Sequence, residues 1–301
     1  MIKKNNKILL DSLSLPSELN TLNYDEYIQL AAEIRERLIK IGHSCGGHLA
    51  SNLGVVELSI VLHSVFNSPY DKILWDTSHQ TYVHKMLTGR LDQMLTIRQE
   101  GGLSGFAKIS ESDHDIFGAG HASTALSAGL GVAFSRNIQG EDYSVISVIG
   151  DASLSGGMSF EAINNVDTIK KTNFICILND NNMSISKPVG HVSELLTNIR
   201  TKPLYDKAKH IFDQMMVNLP AGDTLKRKIE KSFDSVKNLI LDQKMGSIFE
   251  QFGFKYLGPI DGHNIAMLTA ALKYAKTFKG PILIHAITQK GKGHQPAEED
   301  P

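Results

Sequence analysis

Disulfides are the first thing this sequence does without. Its 301 residues include only two cysteines, Cys45 and Cys176, far apart and in no metal-ligand spacing. That excludes a disulfide scaffold and fits a reducing cytoplasm. Charge bias is lacking too: 31 basic residues against 32 acidic ones leave a net charge of −1. Neither a nucleic-acid-binding surface nor a membrane-surface footprint is written into the chain as a whole. No run approaches the ~20 apolar residues that span a bilayer. Lys3, Lys4 and Lys7 begin the chain, but Asp11 interrupts the apolar stretch a signal peptide needs. Repeats and low-complexity tracts are likewise missing. What remains is a globular composition, 42% hydrophobic and 21% charged, able to bury roughly three quarters of its unfolded surface.

The informative stretch runs from Ser147 to Met183 and reads as strand, tight turn, helix, strand. Val145, Ile146, Val148 and Ile149 form a buried-strand run that stops at Gly150-Asp151. The small residues Ala152, Ser153, Ser155, Gly156 and Gly157 then let a helix start close to whatever lies above the strand. A second apolar run, 174–178, ends in Asn179-Asp180-Asn181-Asn182. In a parallel sheet both strand ends share the edge where open α/β folds bind ligands. That edge carries a carboxylate (Asp151), a carboxamide (Asn181) and a free helix N-terminus. Oxygen ligands suit Mg²⁺ with phosphate as its other partner, and N–H groups at a helix start suit the phosphate. The plainer alternative is an ordinary turn in which Asp and Asn only cap.

Elsewhere, Asn23 with Glu26 predicts a capping box opening a helix whose apolar face is Tyr27, Leu30, Ala31, Ile34 and Leu38, with Gly42 as its stop. A glycine-rich loop, 45–57, enters a second helix predicted to reach about Asn67. A short strand over 72–75 ends in Asp76-Thr77-Ser78-His79, and Gly118 to His121 leads into an Ala- and Gly-rich helix suited to close packing. His48, His79 and His121 each begin a helix after a strand or glycine turn. One such histidine reads as structural; three read as donors to phosphate and proton carriers. Helices are predicted over 205–217 and 225–241, within an excursion from the sheet at about 191–244. The chain then returns to strand (256–260), helix (264–278) and strand (281–288). Lys290-Gly-Lys-Gly follows, either a basic surface loop or a cation placed at the sheet edge to neutralise a diphosphate.

The spacing of Asp151 and Asn181, thirty residues apart, resembles the thiamine-diphosphate motif, Gly-Asp-Gly followed by Asn-Asn. The segments GGHLASNLGVVEL, WDTSHQTYVHKMLTGR, GAGHASTALSAGLG, GDASLSGGMSFEAINN, ILNDNNMSIS, YLGPIDGH and ITQKGKGHQPAEEDP together resemble 1-deoxy-D-xylulose-5-phosphate synthase, of the transketolase group. The likeness is collinear over nearly the whole chain. It departs at four positions: Ala152 replaces the motif's second glycine, Thr77-Ser78 stand where the family has Val-Gly, and His294 stands where it has Tyr.

That resemblance implies one diphosphate-binding domain over 1–301, an α/β fold with three layers, α/β/α, around a mostly parallel sheet. It implies thiamine diphosphate and Mg²⁺ as cofactors. Asp151, the Asn181 side chain and the Met183 carbonyl would hold the metal. His79, Gly120, His121, Ala122, Asp151, Ala152, Ser153, Asn181, Lys290 and His294 would bind the cofactor, and His48 and His121 would face its reacting end as catalytic residues. It also implies sugar phosphate substrates and a partner: a second chain with the pyrimidine-binding and C-terminal transketolase domains, in a homodimer or an α₂β₂ assembly. A fragment of an ordinary synthase and a non-catalytic cofactor-binding homologue are the alternatives.

Overall fold

Five strands form the centre: β1 (Lys72–Trp75), β2 (Val145–Gly150), β3 (Phe174–Asp180), β4 (Lys255–Asp261) and β5 (Pro281–Ile287). They pair in the order β1-β2-β3-β5-β4, every pair parallel. The computed structural model describes residues 8–169, 172–181, 194, 196, 197 and 247–300. The predicted helices over 205–217 and 225–241, nearly all of the 191–244 excursion, and Met183 lie outside them.

Both faces of the sheet are covered, which is why its strands lack polar alternation. Ile73, Trp75, Ile146, Val148, Ile175, Ile177, Ile282 and Ile284 turn to one core, Leu74, Val145, Ile149, Cys176, Leu178 and Leu283 to the other. Each such side chain contributes about 1.5–3 kcal/mol by leaving water. The first core is roofed by α1 (Tyr24–Cys45), α2 (Leu49–Leu53), α3 (Val56–Val65), the single turn α4 (Tyr82–Lys85) and, later in the chain, the helix over 265–277. The second is roofed by α5 (Ala125–Gln139), the turn α6 (Asp151–Leu154) and α7 (Gly157–Asn165). The result is a three-layer α/β/α fold.

Winding from β1 to β3 runs one way across the sheet. After the short helix α8 (Ser247–Gln251), β4 takes the far edge and β5 returns between it and β3; α9 (Ile265–Thr277) makes that return, and α10 (Gln295–Glu299) follows β5. Because the return runs in the opposite direction, a right-handed crossover puts α9 on the layer opposite α5 and α7. All five strands point the same way, so every C-terminal end reaches one edge. No helix among the described residues is long and apolar enough to cross a membrane.

The cap predicted from sequence holds, and the helix predicted from 264 gains one. Asn23 accepts from Glu26 N (3.1 Å) while the Glu26 carboxylate accepts from Asn23 N (2.8 Å), closing the capping box. Asn264 caps α9 by accepting from Met267 N (3.1 Å). In α5, Gly129 permits close packing on β2, since a Cβ there would stand 2.1 Å from Ser147 Oγ.

Three boundaries differ. Gly42 does not stop α1, which continues to Cys45. The stop needs the left-handed conformation that Gly46 adopts (φ 64°). The second predicted helix is two, α2 and α3, divided where Val55 takes φ −120°, ψ 18°. β3 also runs two residues past its apolar run, because Asn179 and Asp180 continue the ladder to Ala286 and Ile287 of β5.

Candidate functional site

The C-terminal edge of the sheet opens into a cavity of about 560 Å³. It is built from four strand ends and the loops behind them. At the end of β1, Asp76 is nearly fully buried and acts as a remote cap. Its carboxylate accepts from Ser123 N (3.0 Å), Thr124 N (2.8 Å) and Ala125 N (3.0 Å), the start of α5. A negative group at a helix start is favoured by the unpaired N–H groups there. This one contact fixes the loop that carries Gly120, His121 and Ala122.

Thr77 and Ser78 both have positive φ, 55° and 64°, a conformation that is costly for residues other than glycine. Ser78 gains from it a bond that glycine cannot make: its Oγ accepts from Ala107 N at 2.8 Å. That bond holds the segment bearing Phe106 against the cavity, and Phe106 packs on His48 with ring centroids 5.5 Å apart.

Asn52 clasps the two histidine loops together. Fully buried, its amide donates to the carbonyls of His48 (2.8 Å) and His79 (2.9 Å), and its oxygen accepts from Tyr82 N (2.8 Å). The histidine rings then stand 5.5 Å apart, edge to face. Burial lowers the pKa of His79 to about 4, helped by the nearby charges of His48 and Lys290. Burial, and then Arg98, lowers that of His48. Both rings are therefore neutral near pH 7. Among the described residues, His48 Nδ1, His79 Nδ1 and Gln80 Oε1 are buried without a hydrogen-bonding partner. Orphaned polar atoms lining a cavity are available to a ligand.

Behind this wall lies a charge-balanced network. His63 Nε2 meets His84 Nδ1 (2.9 Å), and His84 Nε2 meets Asp115 Oδ1 (2.9 Å). Arg90 grips Asp115 with two bonds of 2.8 Å, and Lys85 pairs with Glu111. Burial alone would raise the Asp115 pKa; His84 and Arg90 outweigh it and hold the carboxyl well below the usual range. Burial keeps His63 and His84 neutral. The network pins residues 104–115, since Asp115 also accepts from Lys108 N (2.9 Å) and Glu111 from Ser104 N (2.7 Å).

Of the residues predicted from sequence, His48, His79, Gly120, Ala122 and Lys290 line the cavity, as do Asp151, Ala152, Ser153 and Asn181. Asp151 and Asn181 sit at the ends of adjacent strands, which are spaced about 4.8 Å apart. His121 is not in the lining; it lies exposed on the neighbouring loop. His294 is outside the lining too, as the half-buried residue preceding α10.

The free helix start is less open than expected. α6 is one turn, and Ala152 N already donates to Asp151 Oδ1 (2.9 Å). Ala152 is helical and absent from the positive-φ positions, so it carries no left-handed strain. Lys290 has no hydrogen-bonding or ionic partner among the described residues, which leaves its charge for a ligand. Sequence reasoning missed Asp76, Asn52 and Phe106. Asp76 and Asn52 left one signal, a polar residue at the edge of an apolar run; Phe106 left none.

A carboxylate, a carboxamide, a free ammonium and two neutral imidazoles in one cavity suit a hard cation with an anionic ligand. No cluster of three His, Cys, Asp or Glu suited to a metal occurs among the described residues. A larger depression, about 900 Å³, lies at the opposite strand ends beside Phe252, Lys255 and Lys279. Its described lining brings no strand-end carboxamide or histidine together, so size alone does not make it the site.

Comparison with known proteins agrees with this geometry. The family model described as 1-deoxy-D-xylulose-5-phosphate synthase matches residues 10–288. The 1-deoxy-D-xylulose-5-phosphate synthase of Dehalococcoides mccartyi is 54% identical over 300 residues, covering 97% of this chain and 46% of that protein. The protein of the same description from Pelotomaculum thermopropionicum is 49% identical over 293 residues, covering 97% and 45%. The chain thus spans about half the length of the curated relatives it matches. Among solved structures, the transketolase of Campylobacter jejuni superposes with a TM-score of 0.66 at 21% identity, covering 90% of this chain and 39% of that one. At such identity the likeness is one of fold.

Proposed function

We propose a function from one premise, that the chain belongs to the 1-deoxy-D-xylulose-5-phosphate synthase family: it is the diphosphate-binding part of a thiamine-diphosphate-dependent transferase. The observation that carries this reading is the cavity itself, where Asp151, Asn181, Lys290 and the orphaned imidazoles of His48 and His79 converge. The residues present fit the group. Asp151 and Asn181 would hold Mg²⁺, with the carbonyl of Met183, which lies outside the described residues, as the expected third ligand; Lys290 would offset the diphosphate charge; and His79, Gly120, Ala122, Ala152, Ser153 and His294 would contact the diphosphate. When bound, thiamine diphosphate supplies a carbon nucleophile able to join a 2-oxo acid or ketose donor to an aldose phosphate. His48 and His121 face the reacting end. As a neutral imidazole, His48 can accept or return a proton at Nδ1, and His121 is exposed to an incoming substrate. Phe106 beside His48 keeps water from that wall.

The rest of the synthase, in this reading, comes from a second chain with the pyrimidine-binding and C-terminal transketolase domains, in a homodimer-based or α₂β₂ assembly. A piece of one longer synthase chain fits the coverage of about half equally well and leaves the site unchanged. The test is reconstitution: this chain alone should make no ketose phosphate from pyruvate and an aldose phosphate, and should do so when the missing domains are added in trans. Turnover by the pure chain, or none after addition although cofactor binds, contradicts the split arrangement.

A further inference from the structure

Lys290 stands just before a glycine-containing turn, in a loop whose composition gives it no rigidity of its own. Gly291 and Gly293 both have positive φ (78° and 84°). Yet the loop is fastened on either side of Lys290. On the N-terminal side Gln289 N donates to His263 Nε2 (2.8 Å). On the C-terminal side Gly291 N donates to Ala50 O (2.8 Å), and Lys292 O accepts from Arg35 Nε (3.0 Å).

Two of these three fastenings lead to one carboxylate. Glu57, on α3 and nearly fully buried, accepts from Arg35 Nη2 (2.7 Å) and meets His263 Nδ1 (3.0 Å). Burial alone would raise its pKa, but His263 and Arg35 lower it overall, so the carboxylate is ionised. The His263 tautomer follows. A backbone N–H can only donate, so Nε2 must be the acceptor, and Nδ1 carries the proton given to Glu57. Arg35, Glu57 and His263 therefore act as one clamp.

We propose that His263 is a positioning residue that fixes Lys290 at the cavity edge through its bond to Gln289. Gln289 is exposed, so water can replace His263 as the partner of its N–H. The bond is thus not needed to satisfy a buried donor. What it fixes is place: the backbone just before a long, flexible lysine that has no partner among the described residues. A held backbone lowers the entropy lost when the ammonium engages an anion.

The inference rests on the diphosphate reading of the site, and a binding cycle separates the two. Thiamine diphosphate is titrated calorimetrically, with Mg²⁺, into the wild type, Lys290→Met, His263→Leu, His263→Gln and the Leu/Met double variant. Loss of the lysine should weaken binding about tenfold, the scale of a charge-assisted contact. His263→Leu should weaken it by about three- to tenfold, and the double variant should be no worse than Lys290→Met alone, because the histidine acts only through the lysine. His263→Gln, whose amide oxygen can replace Nε2 as acceptor, should recover most of the loss, and it is the variant to use if His263→Leu does not fold. Wild-type affinity in His263→Leu, or losses that multiply in the double variant, overturns the positioning role. No binding by the wild type would instead remove the diphosphate reading.

Discussion

Replacing Asp76 by asparagine should damage the fold and the site together. The carboxylate accepts three backbone N–H groups at 2.8–3.0 Å at the start of α5. Asparagine has one acceptor oxygen. If that oxygen keeps Thr124 N and Ala125 N, its NH₂ group faces the N–H of Ser123, and one bond is lost outright. The other two lose the assistance of the charge. Hydrogen bonds to charged groups contribute about 1.5–3 kcal/mol and neutral ones about 0.5–1.5, and the favourable term at the helix start adds about 0.3–1 kcal/mol. The lost bond and the helix-start term alone come to about 2–4 kcal/mol, a lower bound because the two weakened bonds add to it. At about 2–4 °C per kcal/mol, Tm should fall on the order of 4–16 °C or more. Calorimetry measures that, and hydrogen exchange should show the amides of Ser123, Thr124 and Ala125 losing protection. An unchanged Tm with unchanged protection at those three amides would refute the cap.

Acid should weaken the folded chain early. His48, His63, His79 and His84 all have lowered pKa values, His79 at about 4, whereas an unfolded histidine titrates near ~6.5. Below ~6.5 the unfolded state takes up protons that the folded state refuses, so stability is lost as pH falls from there toward the folded values. Urea midpoints at about pH 7.5 and 5.5 should differ clearly, and equal midpoints would mean these rings are charged in the fold. Ala152→Gly should change folding stability by less than ~1 kcal/mol, because the position is helical. Removing the methyl from the cavity wall should tighten thiamine diphosphate binding severalfold in calorimetry, and equal affinity would show that the Cβ does not crowd the ligand.

Strand ends were the legible part. Apolar runs that stop at Asp76, Gly150-Asp151 and Asn179-Asp180-Asn181 place their polar groups by chain continuity alone, and the sheet brings them to one edge. The helix cap at Asn23 was legible for the same reason, being local. What could not be read depends on partners far away in sequence. Asp76 meets a helix start 47 to 49 residues later; Asn52 joins carbonyls 4 and 27 residues away; His263 reaches Glu57 across 206. The Ala152 question also needed coordinates. A glycine there serves either positive φ or close approach of the backbone, and the helical turn at Ala152 leaves only the second. At Ser78 the reverse holds: positive φ is present, and the hydroxyl's bond to Ala107 N is what a serine adds there.

The most direct test of the central claim is a calorimetric titration of thiamine diphosphate into the chain, with Mg²⁺ and with a chelator, for the wild type and Asp151→Ala. Saturable binding that requires Mg²⁺ and weakens by more than about tenfold in the variant is the predicted result, the carboxylate being the only charged metal ligand assigned. Mg²⁺-independent binding, or an affinity that Asp151→Ala leaves unchanged, contradicts it.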